Sequence, residues 1–490
     1  MSTTVSAAVF PRLYRDSVTL MALAAQLEKL PGITRAGAVM ATPGNLAILA
    51  RSEMVPADLS AAPDDLLVVV RGETEDEISE ALAKAADGLT SSDDDSGAAG
   101  GAPRPATIAE AIAGGAKPTL ATISVPGTYA AVVAEQALRA GLHVFCFSDN
   151  VSVEEEVRLK TYASDNGLLL MGPDCGTAIL DGVPLGFANV VRSGPVGIVA
   201  ASGTGAQEVS VLLDAWEVGV SQVIGVGGRD LSVEVGGLMT HLALGLLADD
   251  PENGVLMIVS KPPAAAVAEV LLARLNALAS HDRPVVACLL GAEDEGVLGT
   301  DPVLIRGTLE GGAIAAARLA GGDPQPVVLA LAGAGGTGGI LGLYTGGTLA
   351  SEAKILLARA GLKPAIHDLG DDQYTAGKPH PMIDPSPRNA WIADLAEDAE
   401  LGVLLVDVVL GYGSHRDPAG SLADAVTDLQ RRRAEAGLSP LCVVASVTGT
   451  EADPQRRSSQ VATLLAAGIE VAESNAAAVR AVVQSWRNVE

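Results

Sequence analysis

The chain has 490 residues with 48% hydrophobic but only 3% aromatic side chains, a length that predicts several domains and a composition that disfavours an all-β sandwich. Its cores must be filled by Ala, Val and Leu, as in helices packed closely on parallel sheets. The net charge of −27 would repel a polyanion, so we expect no nucleic-acid partner, and a small anionic ligand would need local positive potential.

Targeting and cysteine patterns predict a soluble, cytoplasmic protein. The start of the chain lacks a basic segment followed by an apolar one, and no apolar run reaches membrane-spanning length, so no membrane partner is expected. The four cysteines are far apart and none forms a CxxC pair, which argues against a disulfide framework. The His and acidic residues lack the spacing of a zinc site, so we predict no metal.

The sequence pattern of residues 1–88 predicts a small α/β domain. Apolar spacing and β-branched runs give its elements in chain order: a helix over 17–30, strands over 36–40 and 65–70, and a helix over 75–86. Residues 89–105 are rich in Ser, Asp, Gly, Ala and Pro, which predicts a flexible linker.

Residues 106–190 predict a Rossmann-like domain, because three apolar runs alternate with two helices. The strands are predicted over 119–125, 142–147 and 168–171, and the helices over 127–140 and 153–166. Ligands of such sheets bind at the carboxyl ends of strands, although the GxGxxG nucleotide fingerprint does not follow the first strand. The residues predicted to contact a ligand there are Gly127, Thr128, Asp149, Asn150, Asp174 and Cys175.

Two further doubly wound domains are predicted over 193–320 and 340–490, joined by a Gly- and Pro-rich linker over 321–339. In each, a strand leads through a Ser/Thr-Gly turn into a helix with an early Glu, which favours an internal duplication of a flavodoxin-like fold. The predicted fold class is therefore α/β, with several doubly wound parallel-sheet domains after a small N-terminal α/β unit.

The two turns, at 202–205 and 345–348, are the clearest candidates for an anion site and are called the paired turns below. Backbone N–H groups and the helix dipole attract negative charge there, and glycine lets a ligand approach the backbone. Helix capping by Ser and Thr is the alternative interpretation of either turn alone, but two matching turns favour a shared phosphate or carboxylate site. The residues predicted to bind phosphate are Ser202, Gly203, Thr204, Gly205, Thr345, Gly346, Gly347 and Thr348.

Charged side chains at other strand ends add candidates for catalysis and substrate binding. In the Gly-rich segment 225–237, Arg229 could clamp an anion bidentately and Asp230 could orient it. Lys261 lies at a strand end before two prolines, where it is either an anion ligand or a surface lysine.

Residues 368–388 combine four Asp, one His and one Arg with four prolines, a composition typical of a binding or catalytic loop. The prolines expected to exclude helix and strand are Pro379, Pro381, Pro385 and Pro387. The candidates for catalysis in this segment are Asp371, Asp372 and His380, and Arg388 is a candidate substrate ligand.

These motifs, in this order, resemble the FdrA family of the succinyl-CoA synthetase (acyl-CoA ligase) superfamily over nearly the whole chain. The segments that carry the resemblance are 171–176, 201–205, 227–230, 260–263, 344–349, 368–372 and 379–384. The resemblance implies a CoA-binding-like domain over 106–190, a ligase domain like that of the α subunit over 193–320, and one like that of the β subunit over 340–490.

The chain departs from the synthetases at the phosphohistidine. Their Gly-His-Ala-Gly loop has no counterpart after Gly291, and no His precedes His367 in this part of the chain. The strand end that carries their supporting Glu reads Ser260-Lys261 here, and there is no room for an ATP-grasp region. What the resemblance leaves is a phosphate site between two helix N-termini.

The resemblance implies a subunit of the oxamate carbamoyltransferase type, in which oxalurate and phosphate give oxamate and carbamoyl phosphate during purine and allantoin nitrogen degradation. Arg229, Lys261 or His380 would neutralise the developing oxyanion. Inorganic phosphate or carbamoyl phosphate is then the expected ligand, with companion subunits encoded nearby in a homo- or hetero-oligomer.

Two alternatives stay open. An acyl-CoA synthetase or CoA-dependent acyltransferase would bind CoA near 125–129 and 148–150, and CoA is the cofactor that this alternative implies. A non-catalytic scaffold subunit would tolerate changes in the paired turns.

Overall fold

The computed structural model describes residues 4–13, 15, 17–42, 45–46, 49–50, 52, 54–56, 59–90, 105, 107–115, 117–326, 328–331, 338–375 and 379–487. The chain divides into two compact units, one made of 1–105 with the short segment 377–379 and the other made of the remainder. None of the helices in the described ranges is long and apolar enough to cross a membrane.

The first unit is an antiparallel sheet with two helices. Its strands β1 (Thr4–Phe10), β2 (Ile33–Met40) and β3 (Leu66–Gly72) pair in the order β1-β3-β2, and the helices are Ser17–Leu27 and Glu75–Thr90. β3 is central because its apolar run is buried on both faces. The sequence did not predict β1, whose small residues have weak β preference. The second helix extends into the predicted linker, of which 91–104 lies outside the described residues.

The second unit begins with a small parallel sheet. Strands β4 (Leu120–Ile123), β5 (His143–Cys146) and β6 (Leu170–Met171) pair in chain order, with the helices Gly127–Arg139 and Val153–Asp165 between them and a short helix, Ile108–Ala113, before them. This confirms the predicted strand–helix alternation. In the described residues the sheet has three strands, half the number of a complete dinucleotide-binding fold.

A β-hairpin follows within the range predicted for the CoA-binding-like domain. Its strands β7 (Thr177–Leu180) and β8 (Val183–Gly186) are antiparallel, and β7 pairs with β10 (Val220–Gly225) of the next sheet. The hairpin thus extends the sheet that follows it rather than the three-stranded one. The domain boundaries given above stay a prediction.

Two larger sheets share one strand order. The first contains β9 (Ser193–Ala201), β10, β11 (Val255–Ser260), β12 (Val285–Leu289) and β13 (Val303–Arg306) in the order β13-β12-β11-β9-β10, beyond which lies the hairpin. The second contains β14 (Gly339–Tyr344), β15 (Ala365–Asp368), β16 (Leu401–Val409), β17 (Cys442–Thr448) and β18 (Glu470–Ala472) in the order β15-β14-β16-β17-β18. Numbered within each half, both orders are 2-1-3-4-5, that of flavodoxin-like sheets.

All strand pairs within these two sets of five are parallel, so the α/β class with several parallel-sheet domains is confirmed. The identical order supports the predicted internal duplication. We call the two parts the first half (193–320) and the second half (339–487). Their apolar core is shared, since Leu213 and Ala313 of the first half belong to the same buried cluster as Tyr344 and Leu357 of the second.

The helices of both halves alternate with the strands along the chain, and each half ends in a helix. In the first half they are Gly203–Ala215, Leu238–Asp249, Ala265–Leu278 and Leu309–Leu319. In the second half they are Gly347–Arg359, Asp372–Thr375, Ser386–Asp394, Pro418–Glu435, Arg457–Ala466 and Asn475–Arg487, with a 3₁₀ turn at Leu395–Glu397. Ser202, Thr308 and Asp417 cap three of them by accepting N–H groups one turn on.

The prediction that prolines exclude helix is wrong at the end of the 368–388 segment. Pro385 is the N-cap of the helix Ser386–Asp394, and Pro387 lies in its first turn. A proline is tolerated there because the first N–H groups of a helix have no partner within the helix and the fixed φ already suits the helix.

Candidate functional site

The carboxyl ends of the two flavodoxin-like sheets provide the candidate site. In such sheets a crevice forms where the strand order reverses, beside the first strand. In the first half β9 leads into Ser202 and β11 leads into Lys261, and in the second half β14 leads into Thr345. The paired turns therefore occupy the same topological place in each half.

The structure brings the paired turns into direct contact. Ser202 Oγ lies 2.6 Å from Thr348 Oγ1, and the backbone N–H of Thr348 donates to Thr204 Oγ1 over 3.3 Å. A Cβ added to Gly205 would lie 3.1 Å from Thr348 Cγ2, so glycine is needed for this approach. The N-termini of the helices Gly203–Ala215 and Gly347–Arg359 thus converge, as the sequence predicted.

Only part of the paired turns can be reached from solvent. Ser202 is buried and caps its own helix by accepting the N–H of Gly205 over 3.0 Å. Gly203, Thr204 and Gly347 keep partial exposure. An anion would therefore meet the first turn of one helix and the first residue of the other.

A buried carboxylate occupies the second helix N-terminus. Asp407 Oδ1 accepts the backbone N–H of Thr345 over 2.7 Å and its hydroxyl over 3.0 Å, and Oδ2 accepts the N–H of Gly346 over 2.7 Å. Burial raises the pKa of Asp407, whereas Arg388 and these N–H groups lower it. The backbone N–H groups of Thr345 and Gly346, predicted for phosphate, are thus used by the protein itself.

Arg388 lies behind this carboxylate rather than in the site. Its Nη1 donates to Asp407 O over 2.6 Å and lies 3.3 Å from Asp407 Oδ1, and its side chain is 2% exposed. The predicted contact of Arg388 with substrate is not supported, because the guanidinium is enclosed and serves to neutralise Asp407.

A second carboxylate, that of Asp368, lies at the edge of the site. Asp368 ends β15, beside Tyr344 in the sheet, and its Oδ1 accepts the N–H of Gly370 over 3.0 Å. A Cβ added to Gly347 would lie 2.3 Å from Asp368 Oδ2. The carboxylate therefore contacts the first residue of the helix Gly347–Arg359, and only glycine fits there.

His380 approaches the same place with an uncharged ring. The N–H of Met382 donates to His380 Nδ1 over 3.2 Å, so the neutral ring carries its proton on Nε2. A Cβ added to Gly370 would lie 2.6 Å from Nε2. Burial lowers the pKa of His380 to about 4, although Asp149 raises it. At neutral pH His380 is a hydrogen-bond donor rather than a cation.

An aromatic row links His380 to the small parallel sheet. The ring of Phe187 lies 5.6 Å from that of His380 and 5.3 Å from that of Phe147. Phe147 follows β5 directly and Phe187 follows β8, so the row joins the small sheet, the hairpin and the second half. It supplies the apolar surroundings that keep His380 neutral.

Arg229 and Asp230 belong to a buried ionic network. Lys160, fully buried, contacts Asp230 Oδ1 at 2.7 Å and Glu156 Oε1 at 2.8 Å, and donates to Val226 O. Arg229 Nε lies 2.8 Å from Glu156 Oε2. The predicted contact of Asp230 with substrate is not supported, because it is enclosed by these groups and by Thr240. Arg229 is 41% exposed and stays a candidate.

The residues predicted for a CoA-type ligand meet at the carboxyl edge of the small sheet. A Cβ added to Gly127 would lie 2.2 Å from Asp149 O, and Asn150 has φ +54°. The N–H of Asp174 donates to Ser148 O, which places Asp174 beside Asp149. Thr128, Asp149, Asn150 and Asp174 are exposed. Cys175 is not available, since burial raises its pKa to about 12 and its Sγ donates to Thr177 O.

The remaining candidates lie at the rim. Lys261 is exposed and its charge lowers the pKa of Asp368. Asp371 is exposed, and its Oδ1 accepts the N–H of Gln373, which is the contact of a capping residue. Asp372 begins the short helix, but its side chain lies outside the described part of the structure.

Sequence reasoning missed Asp407, Phe187 and the Lys160–Glu156 pair, and it did not single out Asp368 within the 368–388 segment. The sequence did contain an indication that Asp407 is special, because it is the one charged residue in the apolar run of β16. Lys160 and Glu156 had the spacing of a pair on one helix face, which usually indicates a solvated salt bridge. Nothing in the sequence indicated that Phe187 would contact His380.

Comparison with known proteins identifies a relative of matching length. YahF of Escherichia coli (strain K12) is 38% identical, with 95% of each chain covered. The chain belongs to the YahF family. The family model described as CoA-ligase matches residues 343–484, and the model described as AllF, heavy metal-associated domain, matches residues 1–105.

More distant relatives agree with the CoA-ligase match. The mitochondrial succinate–CoA ligase [ADP-forming] subunit alpha-2 of Trichomonas vaginalis is 30% identical over 35% of this chain and 55% of its own length. The chain therefore matches about half of that subunit. Among solved structures, the dinucleotide-forming acetyl-coenzyme A synthetase 1 of Ca. Korarchaeum cryptofilum covers 76% of this chain and 83% of its own, at 15% identity and a TM-score of 0.33. A likeness at that score supports no conclusion about this chain.

The residues of the N-terminal unit do not fit a heavy-metal site. Residues 1–105 contain neither Cys nor His, the side chains that bind soft and borderline metal ions. No cluster of three His, Cys, Asp or Glu side chains that could hold a metal ion is found in the described parts of the chain. The match in this unit therefore concerns its fold.

Proposed function

We propose that the chain is an FdrA-like subunit of a carbamoyltransferase. It would move a carbamoyl group between a ureido acid of the oxalurate type and inorganic phosphate, giving oxamate and carbamoyl phosphate. The observation that carries this proposal is the contact between the paired turns, which leaves Gly203, Thr204 and Gly347 reachable beside Lys261 and His380. The N-terminus of the helix Gly203–Ala215, the reachable Gly347 and the exposed Lys261 suit a phosphate group.

Each group in the site has a task in this reaction. The N–H groups of Gly203 and Thr204 and the charge of Lys261 would hold the phosphate. His380 Nε2–H, uncharged at neutral pH, would donate to the carbonyl oxygen on which negative charge develops. Holding phosphate and ureido acid side by side would supply much of the rate, because the encounter becomes intramolecular.

The sequence argues against a nucleotide-driven ligase cycle. Between His281 and His367 the chain has no histidine that could carry a phosphoryl group. The match of residues 1–105 to the AllF-type model agrees with a place in allantoin nitrogen degradation. Companion subunits encoded nearby, in a hetero-oligomer, are part of the proposal.

A second candidate is an acyl-CoA synthetase or CoA-dependent acyltransferase. It is favoured by the match of residues 343–484 to the CoA-ligase model. Gly127, Thr128, Asp149 and Asn150, which lie together at the edge of the small sheet, would then contact CoA.

The experiment that tests the proposal uses the full chain co-expressed with the products of neighbouring genes. Carbamoyl phosphate and oxamate are supplied without nucleotide, and phosphate release is measured; oxalurate with phosphate is the reverse assay. The variant Lys261→Met should raise the KM for phosphate about tenfold or more, the loss expected of one charge-assisted contact. Lys354→Met, which removes an exposed lysine from the helix Gly347–Arg359, is the matched control. Thioester formation that requires ATP and CoA would instead establish the second candidate.

A further inference from the structure

Asp368 is an acidic group at the edge of the site, and only one of its two carboxylate oxygens accepts a hydrogen bond in the described residues. Its Oδ1 is held by the N–H of Gly370, whereas Oδ2 accepts no hydrogen bond from the described residues and contacts Gly347, the reachable residue of the second turn. Asp368 is not needed to cap the helix Gly347–Arg359, because Asp407 already accepts the N–H groups of Thr345 and Gly346. A second carboxylate at an anion site weakens anion binding, so a chemical role is the simpler explanation.

The surroundings of Asp368 suit proton transfer. Burial raises its pKa, Lys261 and the N–H of Gly370 lower it, and Asp407 and Asp371 raise it. These are the charged groups that act on it from β11, β16 and its own loop. His380 Nε2, which lies close to Gly370, is a donor and does not compete for the proton. The carboxylate thus contacts Gly347 of the proposed phosphate site through Oδ2, and through Oδ1 it binds Gly370, the residue that His380 Nε2 approaches.

We infer that Asp368 relays a proton from hydrogen phosphate to the departing amide nitrogen, an inference that rests on the proposed carbamoyl transfer. As a phosphate oxygen attacks the ureido carbonyl, the remaining phosphate O–H gives its proton to Asp368 Oδ2. The C–N bond then breaks, and Asp368 returns the proton to that nitrogen, so that the amide group of oxamate is complete. The C–O bond formed is that of carbamoyl phosphate, and no oxidant, reductant or further reactant is needed.

The test is Asp368→Asn in the co-expressed assembly, assayed with oxalurate and phosphate between pH 5 and pH 8. Asparagine keeps the oxygen that accepts the N–H of Gly370, so folding should be preserved, and thermal unfolding checks this. We expect kcat to fall about 100-fold or more, as for loss of a general acid–base group, with the KM for phosphate unchanged or lower because a negative charge is gone. The acidic limb of the wild-type kcat profile, where Asp368 takes up a proton, should disappear.

Asp424→Asn is the matched control, since it makes the same change at an exposed position of the helix Pro418–Glu435. An Asp368→Asn variant with kcat near the wild-type value, or with a reduced kcat but the same acidic limb, would overturn the relay while leaving carbamoyl transfer standing. A wild-type assembly that forms no carbamoyl phosphate would refute the proposed function itself, and the relay with it.

Discussion

Glu208 of the first half and Glu352 of the second half make equivalent contacts, since each accepts a backbone N–H at the start of a helix in the other half. Each lies five residues after the first residue of its helix. Glu208 accepts the N–H of Asn475 over 2.9 Å, and Glu352 accepts the N–H of Leu309 over 2.7 Å. Asn475 and Leu309 begin the last helix of the second and first half, respectively. Each half thus caps a helix of the other, as expected of a duplicated fold with approximate two-fold symmetry.

The first prediction concerns the pH dependence of stability. Burial raises the pKa of Glu352 to about 7, whereas an unfolded glutamate titrates near pH 4.3. Between these values the folded chain holds a proton that the unfolded chain releases, so the stabilisation is complete at low pH and is lost as pH rises through about 7. The free energy of unfolding should fall by on the order of 3 kcal/mol from this group between pH 4 and pH 8.

Denaturant titrations at several pH values check this prediction. Glu352→Gln should flatten the pH dependence over that range, because the substituted side chain does not titrate. Glu269→Gln, at an exposed position in the helix Ala265–Leu278, is the control and should keep the wild-type slope. An unchanged slope in Glu352→Gln would show that Glu352 titrates normally.

The second prediction concerns the buried lysine. Lys160→Met should lower the free energy of unfolding by about 3–5 kcal/mol, because Glu156 and Asp230 would be left buried without their shared cation. Arg158→Met, two residues away, removes an exposed cation paired with Glu135 and should cost about 1 kcal/mol or less. Equal losses in the two variants, measured by chemical denaturation, would contradict a structural role for the network.

The third prediction concerns Gly347. In Gly347→Ala the added methyl group would lie 2.3 Å from Asp368 Oδ2 and must displace that carboxylate. We expect a loss of turnover about as large as that of Asp368→Asn, with the chain still folded. Gly254→Ala is the control, since the nearest atom to its added Cβ is at 3.5 Å. Steady-state assays of both variants test this, and full activity in Gly347→Ala would mean that Asp368 can move without consequence.

The fourth prediction concerns the protonation of His380. Its ring should stay neutral from pH 8 down to pH 5, with the proton on Nε2, because burial lowers its pKa to about 4. Ring ¹⁵N NMR shifts report both the charge and the tautomer. Phe187→Ala should move the pKa upward toward the ordinary value, since it removes the ring packed on His380. Trp486→Leu, in the last helix, should leave it unchanged. A positively charged ring at pH 7 in the wild type would contradict the role of His380 as a neutral hydrogen-bond donor.

The sequence was sufficient to predict the plan of both halves. The largely apolar runs of β11, β14 and β16 predict strands over 255–259, 340–344 and 401–409, and the observed bounds differ from these by at most one residue. Such runs are typical of central parallel strands, and the glycine-rich turns after β9 and β14 mark where their helices begin. The edge strands β13, β15 and β18 were missed, because three or four residues carry too little pattern.

The contents of the site could be predicted only in part, because several contacts join residues far apart in sequence. Ser202 meets Thr348 across 146 positions, and Lys160 meets Asp230 across 70. Local composition singled out the turns of Ser202 and Thr348 because they match, and the structure brings these two side chains into contact. It could not show that Asp230 would be enclosed by a lysine from a helix beside the small parallel sheet, or that Asp407 would take the N–H groups of Thr345 and Gly346.

The approximate symmetry of the paired turns has a consequence for how a ligand is oriented. A two-fold site offers an asymmetric molecule two poses of nearly equal energy, and unproductive binding would then compete with the productive pose. The charges around the turns remove that degeneracy, since Lys261 lies on the side of the first half, whereas Asp368 lies on that of the second. In the proposed reaction the anionic end of a ligand would therefore be directed to the first half, and its neutral, proton-exchanging end to the second.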